Sequence, residues 1–178
     1  MRIIRGKYGH RRFQIPASFN ARPTTDFAKE NLFNVLDNLV EWEELDALDL
    51  FAGTGSIAFE MLSRGCRSVT AVELNYKHAT FIGKVANELR VSNLNLTRGD
   101  ALRYLSSSDK PSFGLIFADP PYDLFDLPNL PYLVLNSNLL QEGGMFILEH
   151  SNTHNFSGLP SFMQHRVYGS VNFSIFKS

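Results

Sequence analysis

The chain reads as an α/β protein, a mostly parallel sheet with helices on both faces, and three observations predict it. Short, nearly unbroken apolar runs alternate with stretches of helical period, the pattern of strands buried on both faces and joined by crossover helices. Acidic residues and a glycine loop recur where those runs end, as expected when ligands gather beyond the carboxyl ends of parallel strands. The length of 178 residues, with 44% hydrophobic and 20% charged side chains, suits one core burying about 70% of the unfolded surface and argues against a disordered or fibrous chain.

Residues 1–15 alternate imperfectly around Gly6 and Gly9 and predict a short hairpin, basic side chains outward, anchored by Ile3, Ile4, Phe13 and Ile15. Residues 16–23 form a connector rich in turn residues, so 1–23 stands apart from a main domain over 24–178. Thr24 or Thr25 caps a helix with Asp26 in its first turn. Ala28, Leu32, Val35, Leu36, Leu39 and Val40 recur at helical spacing and place its end near Trp42. A strand over 47–51 runs into Ala52-Gly53-Thr54-Gly55-Ser56, and the helix after it buries Ile57, Met61 and Leu62 and closes at Gly65. The second strand, 69–72, ends in Glu73; Asn75 opens a long helix carrying Ala79, Ile82, Val85, Ala86 and Leu89. A third strand over 94–97 leads to Gly99-Asp100 and a short helix over 101–105, and the fourth, around 115–117, delivers Asp119. A helix around 127–140, a strand over 145–149 after Gly143-Gly144, and a closing pair over 167–169 and 171–176 complete the chain.

Charge is unevenly spread. Six basic residues (Arg2, Arg5, Lys7, Arg11, Arg12, Arg22) precede the first acidic one, Asp26, leaving 11 basic against 18 acidic residues for the remainder. A basic arm on an acidic body is a phosphate-binding footprint, although six charges alone name no ligand. No apolar run approaches the roughly 20 residues of a membrane span, and the basic N-terminus lacks the apolar core of a signal peptide, so the expected location is cytoplasmic. Cys66 has no partner for a disulfide or zinc cluster and reads as a small buried hydrophobe. His78, His150, His154 and His165 show no ligand spacing; they read as packing or surface residues, and no metal is expected.

The chemistry concentrates at Leu115-Ile116-Phe117-Ala118-Asp119-Pro120-Pro121-Tyr122. Pro120 and Pro121 fix two successive φ angles and offer no N–H, so a stiff corner aims the Asp119 carboxylate and the Tyr122 ring at one space. That pairing suits a planar amino group, which the acid accepts hydrogen bonds from while the ring stacks on its heterocycle. Gly53 and Gly55 permit a sharp turn and close ligand approach where a helix begins, a weak signal alone. Glu73, at a strand end 18 residues after Gly55, is placed to accept hydrogen bonds from both ribose hydroxyls, and Asp100 from an adenine amine, with Leu74 and Ala101 beside them. A nucleotide-type cofactor follows. Asp49 and Phe51 at the start of the loop favour a cationic ligand over a pyrophosphate, hence S-adenosylmethionine over a dinucleotide.

These residues carry a resemblance. Arg2-Ile3-Ile4, Arg22-Pro23-Thr24-Thr25-Asp26 leading into Asn31-Leu32-Phe33-Asn34, Asp49-Leu50-Phe51-Ala52-Gly53-Thr54-Gly55, Asp119-Pro120-Pro121-Tyr122 and Tyr168-Gly169 together resemble the RsmD family of bacterial methyltransferases, which act on the exocyclic N2 of a guanine in 16S ribosomal RNA. The chain departs from the family pattern at His10, where a glycine is usual, and in the acidic segment Asp123-Leu124-Phe125-Asp126. The resemblance implies a Rossmann-like class I methyltransferase with a seven-stranded sheet whose last strand is antiparallel. It further implies S-adenosylmethionine over residues 49–55, Glu73 on the ribose, Asp100 on the adenine, and Asp119, Pro120, Pro121 and Tyr122 on the target base. Arg2, Arg5, Lys7, Arg11, Arg12 and Arg22 would contact phosphates of 16S rRNA or the small subunit, in a protein expected to be monomeric.

Other readings compete. Adenine-N6 methyltransferases acting on DNA share the motif set, but this chain has no separate target-recognition domain. Protein-directed relatives carry Asn where this chain has Asp119. A nicotinamide-dependent oxidoreductase would need a proton-relay residue near the fourth strand, and a non-catalytic RNA-binding module would need a blocked cofactor pocket.

Overall fold

The computed structural model describes residues 1–19, 24–107 and 111–178. The chain runs α1 (Asp26–Leu36), β1 (Asp46–Leu50), α2 (Ser56–Ser63), β2 (Ser68–Glu73), α3 (Tyr76–Leu89), β3 (Leu94–Arg98), α4 (Ala101–Leu105), β4 (Phe113–Ala118), α5 (Leu130–Leu135), β5 (Leu140–His150), β6 (Phe162–Tyr168) and β7 (Val171–Lys177), with short 3-10 turns at Trp42–Glu44 and Leu127–Asn129. The strands form one seven-stranded sheet in the order β3-β2-β1-β4-β5-β7-β6. β1 to β5 are parallel, and β7, the last strand, enters antiparallel between β5 and β6.

Period-two alternation divides the core into two layers. Ala47, Val69, Ala71, Leu115, Phe117, Ile147, Phe173 and Ile175 face α1, α2 and α3, whereas Leu48, Leu50, Val72, Ile116, Ala118, Phe146, Leu148 and Phe176 face α4 and α5. Both faces are therefore covered, which is why the strand sequences look continuously apolar. Cys66 is buried as expected, its thiol against the carbonyls of Leu45 and Ser68.

Four expectations on element limits are corrected. The first helix ends at Leu36, not near Trp42. The Asn38 amide donates to the Asn34 carbonyl, the Trp42 indole donates to Asp37 Oδ1 (2.9 Å), and the Trp42 ring turns back to stack on Phe33. Short polar side chains compete there with the helix backbone, and apolar spacing alone cannot register the competition. The expected helix over 127–140 is a 3-10 turn followed by six residues of α5, because Pro128 and Pro131 permit only first-turn positions and the Asn136 amide closes the end on the Tyr132 carbonyl. β5 begins at Leu140 instead of 145, passing through a register shift at Gly143-Gly144 where Gly143 has φ +72°. β6 begins at Phe162 instead of 167; as an edge strand it carries Gln164, His165 and Arg166, which hide it from an apolar scan.

The N-terminal arm folds back on itself around a single antiparallel bridge, Arg2 to Arg12: the Ile3, His10 and Phe13 N–H groups donate to the carbonyls of Arg11 (3.0 Å), Ile3 (2.8 Å) and Met1 (2.8 Å), a hairpin shorter than the two strands expected. Ile3, Ile4 and Phe13 are buried in the body. The Glu60 carboxylate on α2 accepts the backbone N–H groups of Ile4 (2.7 Å) and Arg5 (3.2 Å), and Ser63 Oγ accepts that of Tyr8 (2.9 Å).

Candidate active site

The loop between β1 and α2 holds Phe51, Gly53 and Gly55 at φ of +64°, +55° and +76°. A phenylalanine in the left-handed region costs backbone energy that the surroundings must hold in place. Three contacts do so: the Ala52 N–H donates to the Val72 carbonyl (2.9 Å), the Gly53 N–H donates to Glu73 Oε2 (2.7 Å), and the Gly55 N–H donates to the Ala52 carbonyl (2.7 Å). Glu73 thus joins two strand ends, its other oxygen accepting the Asn75 N–H (2.6 Å). Asn75 caps α3, and Asp100 caps α4 by accepting the Arg103 N–H (2.8 Å).

Above these strand ends lies a cavity of about 1040 Å³. Asp49, Phe51, Gly53, Glu73 and Leu74 line one part, and Asp100, Ala101, Asp119, Pro120, Pro121 and Tyr122 another, so these sequence-predicted residues converge on one space. Gly55 does not line it. A Cβ there would sit 2.9 Å from the Phe59 ring, so that glycine serves helix packing, while Gly53 has only the Phe51 carbonyl within 4 Å and is the one that leaves room for a ligand. None of Arg2, Arg5, Lys7, Arg11 and Arg12 reaches the cavity; Arg22 and Pro23 lie outside the described residues.

Three buried acids bear on the cavity floor, and each holds its proton more tightly than a free carboxyl. Burial pushes the Asp49 carboxyl up to about 8, opposed by the Ala58 N–H that it accepts (3.0 Å) and reinforced by the Glu73 charge. Asp119 is raised well above the usual carboxylate range by burial, then by Glu149 and Asp49, against a Thr24 hydrogen bond. Glu149 is raised to about 7 by burial, also against Thr24, whose hydroxyl donates to Glu149 Oε2 (2.8 Å). Carboxylates under this strain favour a cation and repel a pyrophosphate. The donor set and the open space at Gly53 fit a nucleoside carrying a sulfonium.

A model of the family described as Conserved hypothetical protein 95 matches residues 1–177. The chain belongs to this family. It is an RsmD-family protein, the family its motifs resemble. The chain is 32% identical over 155 residues to the ribosomal RNA small subunit methyltransferase D of Buchnera aphidicola subsp. Baizongia pistaciae, covering 87% of this chain and 78% of that protein. To the Escherichia coli K12 protein of the same name it is 27% identical over 180 residues, covering 99% and 89%. The solved structure described as "Putative methyltransferase yhhF from Escherichia coli" superposes with a TM-score of 0.86 at 25% identity, covering 99% of this chain and 97% of that one. The class I methyltransferase architecture is thus established for this RsmD-family chain.

Sequence reasoning missed several residues. Thr25, not Thr24, caps α1, accepting the Ala28 N–H (3.1 Å), which leaves Thr24 to face the cavity. Glu149 stands one residue before the end of β5, close to a strand end as Glu73 is, and that repeated signal could have found it. Ser18 and Phe19 also line the cavity, the Phe19 ring lying 4.3 Å from that of His78. Lys29 occupies a buried position of α1, its ammonium donating to the Arg2 carbonyl and to Ser56 Oγ (2.8 Å) and lying 3.9 Å from Glu60. Burial lowers its pKa and Glu60 opposes the shift. The spacing 29, 32, 33, 36 marks that buried face in retrospect. His150 and His165 stack at 5.6 Å, and His150 Nε2 meets Ser174 Oγ at 2.8 Å, a packing arrangement as expected.

Proposed function

We propose that this protein methylates the exocyclic N2 amine of a guanine in 16S ribosomal RNA, with S-adenosylmethionine as donor. The observation that carries the reading is the junction of two half-sites in one cavity: the Asp49, Gly53, Glu73 and Asp100 side suits the nucleoside and its cation, and the Asp119 to Tyr122 corner suits a planar amine. The names of the relatives support ribosomal RNA as the substrate class, and the acidic donor set supports the cofactor. The cofactor supplies an electrophilic methyl group on a sulfonium.

Guanine N2 is a poor nucleophile because its lone pair is delocalised, and its proton becomes acidic only once the methyl is attached. Orientation therefore matters more than a strong base. The target base is flipped out of its stack at a cost of a few kcal/mol and held against Tyr122, which is half exposed at the rim. Asp119 and the Pro120 carbonyl accept hydrogen bonds from the amine and turn its lone pair toward the methyl group. Such positioning can supply roughly 7–11 kcal/mol of barrier reduction. Arg2, Arg5, Lys7, Arg11, Arg12 and Arg22, in the 1–23 segment, bind RNA phosphates. Labelled S-adenosylmethionine incubated with small ribosomal subunits from a strain lacking this gene tests the reading by nucleoside analysis. Label in N2-methylguanosine is expected; label in N6-methyladenosine, or none, refutes it.

A further inference from the structure

A cavity lined by acids suits the sulfonium and the ammonium of S-adenosylmethionine, but the same molecule carries a carboxylate, which needs a donor. Ser56 is placed to supply one. It lines the cavity at the first position of α2, and its Oγ accepts a hydrogen bond from the Lys29 ammonium (2.8 Å). An ammonium has donors only, so the hydroxyl is the acceptor in that bond and keeps its own proton for another partner. Among the described residues the Ser56 hydroxyl has no other hydrogen bond. Lys29 does not line the cavity; its side chain is wholly buried, also donates to the Arg2 carbonyl, and lies 3.9 Å from Glu60. Glu60 is divided between Lys29 and the buried Arg64 (3.0 Å), so it cancels the Lys29 charge only in part. A buried cation therefore stands directly behind a hydroxyl that faces the ligand space.

We propose that Ser56, held by the buried Lys29 ammonium, donates to the carboxylate of the methyl donor and makes that end of the molecule a requirement for tight binding; the inference rests on the methyltransferase reading above. Lys29 donates to Ser56 and Ser56 to the carboxylate, and each bond strengthens the other because the charge polarises the hydroxyl. Lys29 touches neither the donor nor the reacting atoms and is a positioning residue. Lys77 is the competing cation, since it too lines the cavity, from the exposed start of α3. In that position water screens its charge, whereas burial leaves the Lys29 charge unscreened.

Calorimetry with S-adenosylhomocysteine and with its decarboxylated analogue, in which hydrogen replaces the carboxylate, tests this without any RNA. The wild type should bind the intact ligand about tenfold to a hundredfold more tightly, the range for a hydrogen bond to a charged group. Ser56→Ala and Lys29→Met should each bring that ratio to within about threefold, by losing affinity for the intact ligand, and Lys77→Met should leave it within about twofold of the wild-type value. If Lys29 served stability alone, Lys29→Met would weaken both ligands alike and keep the ratio, which would overturn the proposal. So would a ratio kept in Ser56→Ala, or one lost in Lys77→Met. Ser56→Ala is a small change at a partly exposed position and decides the matter even if Lys29→Met fails to fold. A wild type that binds the two ligands equally removes the carboxylate subsite and leaves the methyltransferase reading standing; one that binds neither removes both.

Discussion

The basic arm and the acidic rim are both clusters of like charge, yet the protein treats them oppositely. At the rim, Asp49, Asp119 and Glu149 are withdrawn from water at the ends of three adjacent strands, and burial raises all three. On the arm the backbone is anchored and the charges stay in solvent. Arg2 lies 3.7 Å from Asp26, Arg5 3.8 Å from Asp37 and Arg11 3.0 Å from Glu88, all with substantial exposure. Exposed pairs of this kind are worth about 0–1 kcal/mol, so an RNA phosphate can replace the carboxylate at little cost. The rim acids have no such freedom; only a cation or a proton inside the cavity relieves them. Under the proposed function, burial thus suits the two clusters to different partners, polyanion outside and small cation within.

Four measurements would break or sharpen this contrast, taken from the largest effect down. Asp119→Ala should lower methyl transfer by at least about a hundredfold while the donor still binds, and a variant with full turnover would remove the corner from the chemistry. Glu60→Ala should cost about 3–5 kcal/mol in urea unfolding, because it leaves Lys29 buried without its carboxylate and strips the Ile4 N–H of its acceptor. A loss under about 1 kcal/mol would show that the arm is not anchored through this pair.

Third, the preference for S-adenosylmethionine over its uncharged-sulfur product should grow about tenfold from about pH 6 to about pH 8. The sign follows from the raised groups: as pH rises through the values near 7 and 8, Glu149 and Asp49 ionise, and a sulfonium gains attraction that a thioether does not. Parallel calorimetric titrations of the two ligands check it; a constant ratio would refute the electrostatic account. Smallest, Lys7→Ala with Arg12→Ala should weaken RNA binding severalfold and flatten its salt dependence, leaving thermal stability nearly unchanged. These substitutions are cleaner than truncation at Pro16, which would also remove Ile3 and Phe13 from the core.

Much of the site was legible because it obeys short-range rules. A strand end followed by glycine, acid or proline marks a loop at the carboxyl edge, and that logic places Asp49, Glu73, Asp100 and Asp119 without any long-range contact. Gly55 shows the limit of the rule: it satisfies the motif, but its bare Cα is needed against Phe59, a contact across the helix turn that no motif spacing reports. Thr24 shows another. As a capping residue it is interchangeable with Thr25 in sequence, and only the fold places Glu149, 125 positions away, against its hydroxyl.

By itself the sequence determined the alternation of strand and helix, the acid-bearing strand ends and the separation of positive arm from negative body, since each is set by neighbours along the chain. Tertiary structure alone decided which acids are buried together, that Lys29 ties the arm to the cavity loop through Ser56, and that β7 enters between β5 and β6. The physical reason is range: propensity and periodicity act over a few residues, whereas burial, and with it the cost of every charge, depends on segments that meet only in the folded chain.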